Sequence, residues 1–136
     1  MIQIATTLEQ SKKLVELGFS GQTADMSYMY DVCKEQDGEP VKDWKLQQCK
    51  CFDLCGYPQI PAWSLSALWE LLPNAIETED YEVLELNISK DINQEMEICY
   101  YTNDRDFRDV YHGFTYKNPF DAIVTMLEFL KNEGLI

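Results

Sequence analysis

One histidine in 136 residues, eleven basic side chains against twenty-four acidic ones, and only six glycines leave several kinds of chemistry without material. A lone imidazole, His112, cannot build a His-Glu-x-x-His helix or the multi-histidine metal centres of common type. The glycines form neither a phosphate-cradling loop nor a Gly-x-Ser-x-Gly nucleophile elbow. Lysine and arginine are scarce enough to give a formal net charge of −13. Neutralising a phosphate backbone needs a clustered basic surface, so no direct nucleic-acid binding is expected, and an anionic membrane surface would repel the chain. No uninterrupted apolar run approaches the roughly 18 residues that span a bilayer. The opening residues Met1-Ile-Gln-Ile-Ala-Thr-Thr-Leu8 lack a basic stretch followed by an apolar one, so no secretory signal is read there and the expected compartment is the cytoplasm. In that compartment the five cysteines should be mostly reduced, and an odd number cannot all pair within one chain.

What is present suits a globular fold. Hydrophobic residues make up 46% of the chain, with three Trp, eight Tyr and six Phe, which is too apolar and aromatic for a disordered segment. A chain of this length buries about two thirds of its unfolded surface without help from disulfides or metals, so a single domain over residues 1–136 is expected. Thr7 and Gln10 have capping-box spacing, and Leu8, Leu14, Val15 and Leu17 precede Gly18, which predicts a first helix ending at a glycine. Met26 to Cys33 alternates with a period of two, as a strand does, and after Asp37-Gly38 the segment from Val41 to Leu54 could return as a second one.

The proline-bracketed stretch Ile60-Pro-Ala-Trp-Ser-Leu-Ser-Ala-Leu-Trp-Glu-Leu-Leu-Pro73 carries Leu65, Leu68, Trp69 and Leu72 at helical spacing, which predicts a buried helix. Beyond a polar link from Asn74 to Asp80, Leu84, Leu86 and Ile88 alternate with Glu85, Asn87 and Ser89. Met96, Ile98 and Tyr100 then alternate with Glu95, Glu97 and Cys99, the pattern of a hairpin with one wet face. A further strand fits Phe107 to Tyr116. Asn118, Pro119 and Asp121 start a final amphipathic helix that Gly134 and Leu135 close. The expected fold class is α+β, a small antiparallel sheet with about three helices packed on one face.

The strings Ile4-Ala-Thr-Thr-Leu-Glu-Gln-Ser-Lys-Lys-Leu14, Thr23-Ala-Asp-Met26, Ile60-Pro-Ala-Trp-Ser-Leu-Ser-Ala-Leu68 and Asn118-Pro-Phe-Asp-Ala122 stand in the same order as in a known family, and the chain resembles it over most of its length. That family consists of small uncharacterised proteins encoded by gut anaerobes, often in prophages and other mobile elements. It brings no established activity, cofactor or catalytic residue. The resemblance implies a genomic context, and the cysteine-bearing stretch from Cys33 to Cys55 lies outside the matching strings.

Three constellations could carry function. Cys33, Cys49, Cys51 and Cys55 offer four thiolates, enough for a tetrahedral Zn²⁺ site. Only one residue separates Cys49 from Cys51, whereas zinc ribbons and fingers place two to four there, so the cysteines read first as small apolar residues and zinc remains the alternative. Asn103-Asp-Arg-Asp-Phe-Arg-Asp-Val-Tyr-His112 places three carboxylates near the histidine, but the interleaved Arg105 and Arg108 point to local ion pairs, and His112 to a strand position. Glu85, Glu95 and Glu97 share the outward side of the predicted hairpin, with Glu77, Glu79, Asp80 and Glu82 leading into it. Such a face is either plainly solvated or a docking surface for a basic or host protein. Ser64 and Ser66 have no base nearby and suit helix capping, while Trp44, Trp63 and Trp69 suit an aromatic core better than a ligand pocket. The expectation is a small acidic accessory protein that binds a partner without catalysis.

Overall fold

A computed structural model gives the chain as α+β, with three α-helices and two antiparallel sheets of three and four strands among the described residues. It describes residues 2–34, 40–47, 59–78, 83–90, 93, 95–102 and 110–136, with side chains for all of these except 30–34, 40–43 and 110–112. Internal packing divides the chain into two compact units, Met1–Ala67 and Leu68–Ile136. The division falls inside a helix, where no linker composition marks it.

The first unit begins with helix α1 (Leu8–Glu16). Its capping box forms as the spacing predicts: Gln10 N–H donates to Thr7 Oγ1 at 3.1 Å and Thr7 N–H donates to Gln10 Oε1 at 2.9 Å. At the other end Gly18 takes φ +93°, and Phe19 N–H reaches the Leu14 carbonyl at 3.1 Å while Gly18 N–H reaches Val15 at 3.0 Å. These two bonds are the Schellman motif, which needs a residue at ease in the left-handed region. A single 3-10 turn at Gly21–Thr23 leads into strand β1 (Met26–Lys34). Strand β2 (Pro40–Gln47) and strand β3 (Gln59–Ala62) flank β1 in the order β2-β1-β3, both antiparallel to it. The return strand read from Val41 to Leu54 is thus β2 as far as Gln47, and residues 48–58 lie outside the described ones. Strand β3 was hidden in the sequence because Pro61 sits within it. Its edge position explains the tolerance, since one side of the strand needs no ladder donor.

The core of this unit is unusual in being partly polar. Ala5, Leu14, Ala24, Ala62 and Trp63 are buried together with Thr6, Ser11 and Ser27. Thr6 uses every polar group it has. Its N–H donates to the Trp63 carbonyl at 2.8 Å, and its carbonyl accepts from the Tyr28 hydroxyl at 2.7 Å. Its Oγ1 accepts from Trp63 N–H at 3.1 Å and shares a proton with Ser11 Oγ at 2.7 Å. Trp63 Nε1–H then donates to Thr23 Oγ1 at 2.9 Å. Complete pairing is what allows hydroxyls in a dry interior.

The second unit takes up helix α2 (Leu65–Leu71) at Leu68. Leu68 and Leu72 are buried as expected, but Leu65 and Trp69 are 38% and 47% exposed, so half of the apolar stripe faces solvent. Strand β4 (Ala75–Glu77) lies in the stretch that reads as a polar link. It opens a four-stranded antiparallel meander with β5 (Val83–Lys90), β6 (Met96–Thr102) and β7 (Val110–Tyr116) in sequence order. Ile76, Leu84, Ile98 and Tyr100 are buried on one face. Tyr100 donates its hydroxyl to the Pro73 carbonyl at 2.7 Å, and burial pushes its pKa well above the ordinary tyrosine value.

Helix α3 (Pro119–Asn132) packs on β6 and β7, with Phe129 edge-on to Phe114 at 6.3 Å between ring centroids. Asn118 Oδ1 caps it by accepting from Phe120 N–H at 2.8 Å. Ala122, Ile123, Met126, Leu127 and Leu130 form its buried face, as the periodicity predicts, joined by Phe120 and Val124. Each fully buried aliphatic side chain there contributes about 1.5–3 kcal/mol. A second Schellman motif closes the helix: Leu135 N–H bonds to the Leu130 carbonyl at 2.9 Å and Gly134, at φ +69°, to Lys131 at 3.1 Å. Among the described residues no helix is long and apolar enough to cross a membrane.

Candidate functional site

The acid-bearing face of the four-stranded sheet is built by three cross-strand rows. Ala75, Glu85 and Tyr101 stand opposite one another; Asn87, Cys99 and Gly113 form the next row; Ser89, Glu97 and Thr115 form the third. Beside the first row, Glu77 faces Val83. Period two puts these side chains on the side away from Leu84, Ile98 and Tyr100.

Two expectations change on this geometry. First, the glutamates read as sharing the outward side do not oppose one another in the three rows: Glu85 stands between Ala75 and Tyr101, and Glu97 between Ser89 and Thr115. Glu85 and Glu97 belong to rows four residues apart along β5 and stand on adjacent strands, which at about 3.3 Å per residue and about 4.8 Å between strands puts their Cα atoms about 14 Å apart. That exceeds the screening length of roughly 8 Å at physiological salt, so they act as separate charges and not as a shared carboxylate pair. Second, Cys99, grouped with Glu95 and Glu97 as facing water, is only 3% exposed.

Glu85 is half-buried, and the Tyr101 hydroxyl donates to its Oε2 at a long 3.4 Å. Glu97 and Glu77 are exposed, and Glu95 is half-buried just before β6 begins. Val83, between Glu77 across the ladder and Glu85 two residues on, is 59% exposed. An aliphatic spot flanked by carboxylates matches the two parts of a lysine or arginine side chain, whose stem is apolar and whose head is cationic. Glu79, Asp80 and Glu82 lie outside the described residues.

The thiol reading rests almost wholly on residues outside that set. Cys49, Cys51 and Cys55 are not among the described residues, and Cys33 is placed only by its backbone, opposite Val41 in β1. Residues 103–109 are likewise outside it, while His112 is a strand residue of β7, opposite Tyr100. Among the described residues no three His, Cys, Asp or Glu side chains are grouped to hold a metal ion.

Sequence reasoning missed Asp25. Its carboxylate accepts from both Ser64 N–H (2.8 Å) and Ser64 Oγ–H, and Ser64 Oγ in turn accepts from Ala67 N–H at 3.2 Å. Ser64 is therefore the N-cap of α2, as its position suggested, and Asp25 fixes the rotamer that caps. Its oxygen is occupied in a structural role. Tyr101 and Thr115 were also missed as parts of the acidic face, because strand register decides which residues lie beside the glutamates. In comparisons with known proteins, the chain matches no protein-family model, no curated protein and no solved structure.

Proposed function

We propose that the chain is a small acidic accessory protein, carried on a prophage or other mobile element, that works as a non-catalytic protein-binding module in the cytoplasm. Its partner is a basic protein of the host or of the element, docked on the face bearing Glu77, Glu85, Glu95 and Glu97. The observation that carries this reading is the exposed Val83 set between Glu77 and Glu85, within a chain of net charge −13. Charge complementarity of this kind raises association rates and selects partners more than it adds raw affinity. The mobile-element origin rests on the sequence resemblance alone.

The test is capture from a lysate of a gut anaerobe on immobilised protein, washed with rising salt. A basic protein retained at low salt, released at high salt and lost with Glu77→Lys/Glu97→Lys supports the reading, provided that Glu9→Lys/Glu16→Lys on α1 leaves capture intact. Equal capture by both variants, or none at any salt, sinks it. Zinc content per chain then decides the alternative reading, in which Cys33, Cys49, Cys51 and Cys55 hold a metal.

A further inference from the structure

Among the described strands the two sheets end at four edge strands, and three of these carry features that discourage further strand pairing. Strand β3 is four residues long and contains Pro61. Strand β2 begins at Pro40 and contains Lys42, Asp43 and Lys45. Strand β4 has three residues, one of them Glu77. Shortness, proline and charge are the usual means by which sheets protect their edges. Strand β7 is different. It ends the four-stranded sheet, bonded among the described strands to β6 alone, and its sequence Val-Tyr-His-Gly-Phe-Thr-Tyr has no proline, lysine, arginine or carboxylate. It thus lacks the charge, the proline and the shortness that guard the other three edges. Its one irregularity is a bulge: Val110 faces Tyr101 and His112 faces Tyr100, which leaves Tyr111 as the extra residue and His112–Tyr116 as the regular stretch.

We propose that β7 is a recognition edge, to which an extended, lysine- or arginine-bearing segment of a partner protein adds as a fifth strand along His112–Tyr116. The proposal rests on the basic-partner reading above and specifies how that partner binds. Main-chain bonds to the edge would supply affinity, and side chains alternating over the two faces would supply selectivity. Charge selects the occupant. On the solvent face the row running in from this edge is Thr115, Glu97 and Ser89, and the neighbouring row presents Gly113. Thr115 and Gly113 are exposed and small, so no tall side chain of β7 separates an added strand from Glu97. Strands lie about 4.8 Å apart, which puts a residue of the fifth strand about 10 Å from the Glu97 Cα, a gap that a long basic side chain and a glutamate close between them. A second copy of this chain would bring another net charge of −13 to the same place.

The probe is a fluorescent octapeptide alternating lysine with valine and threonine, added to the full chain and read by anisotropy and by amide hydrogen exchange. Expected are saturable binding, slowed exchange within 110–116, and a loss of roughly tenfold or more in affinity for Thr115→Lys, which sets a cation against the incoming one. Thr115→Val, which keeps strand propensity, should bind as the parent does. Peptide binding without protection of β7, or undiminished binding by a folded Thr115→Lys, overturns the proposal. Protection of β7 without peptide in a sample that sediments as a dimer also overturns it and assigns the edge to a second copy. Should salt-sensitive capture of a basic protein survive Thr115→Lys, the docking face stands and the edge alone is refuted; no capture by the parent removes both.

Discussion

Thr6 shows what a single hydroxyl can organise. Thr6→Val keeps the volume but removes the acceptor for Trp63 N–H and the partner of Ser11 Oγ, both in the buried interior. A stranded buried donor costs about 1–3 kcal/mol, so urea unfolding should report a loss of about 2 kcal/mol. Adding Ser11→Ala should cost less than the sum of the two single changes, because both act on one network. Tyrosine titration offers a second test. The folded state raises the pKa of Tyr100, through burial, and that of Tyr28 in the same way, above the ordinary value of 10.0. Below that value folded and unfolded chains both keep the proton, and the stabilisation is fully present. As pH climbs through it, the unfolded chain releases protons that the folded chain retains, so stability falls. Melting temperature should therefore decline above about pH 10, and less steeply in Tyr100→Phe, which gives up the bond to Pro73 at every pH.

Elements whose ends are set by local bonds were legible in the sequence. Helices α1 and α3 announce themselves through Thr7 with Gln10, Asn118 with Pro119, and the glycines at 18 and 134, because each of those bonds spans five residues or fewer. Gly18→Ala should cost about 1 kcal/mol in thermal unfolding, the strain of a Cβ at φ +93°, although no neighbour would touch that Cβ. Elements defined by partners were not legible. Strands β3 and β4 have four and three residues, too few for a period, and exist through pairing with β1 and β5. Helix α2 has a helical stripe in its sequence, yet periodicity cannot say how far around the stripe burial extends. Leu68→Ala should cost about 2–5 kcal/mol, while Trp69→Ala, at a half-exposed position, should cost less than about 1 kcal/mol despite removing the larger side chain. Equal losses would place Trp69 in the core after all.

Across the whole chain, net charge was readable from composition, but its arrangement was not. Glu85 and Glu97 were visible as outward residues of a hairpin, whereas Tyr101 beside one and Thr115 beside the other depend on register with strands that composition does not align. A charge of −13 repels itself, so added sodium chloride should raise the melting temperature over the range in which the screening length shortens. A fall instead would mean that attractive pairs dominate. The bonds between Thr6 and Trp63 carry a consequence for synthesis. They join positions 57 residues apart, so these two bonds cannot form until almost all of the first unit has been made, whereas those of Thr6 to Ser11 and Tyr28 need far less of the chain. At translation rates of about 5–20 residues per second, Thr6 waits roughly 3–11 s on the ribosome for its partner. Throughout that interval Ile2 and Ile4, exposed even in the finished fold, belong to a nascent chain whose beginning has bonds to Ser11 and Tyr28 within reach but not yet those to Trp63.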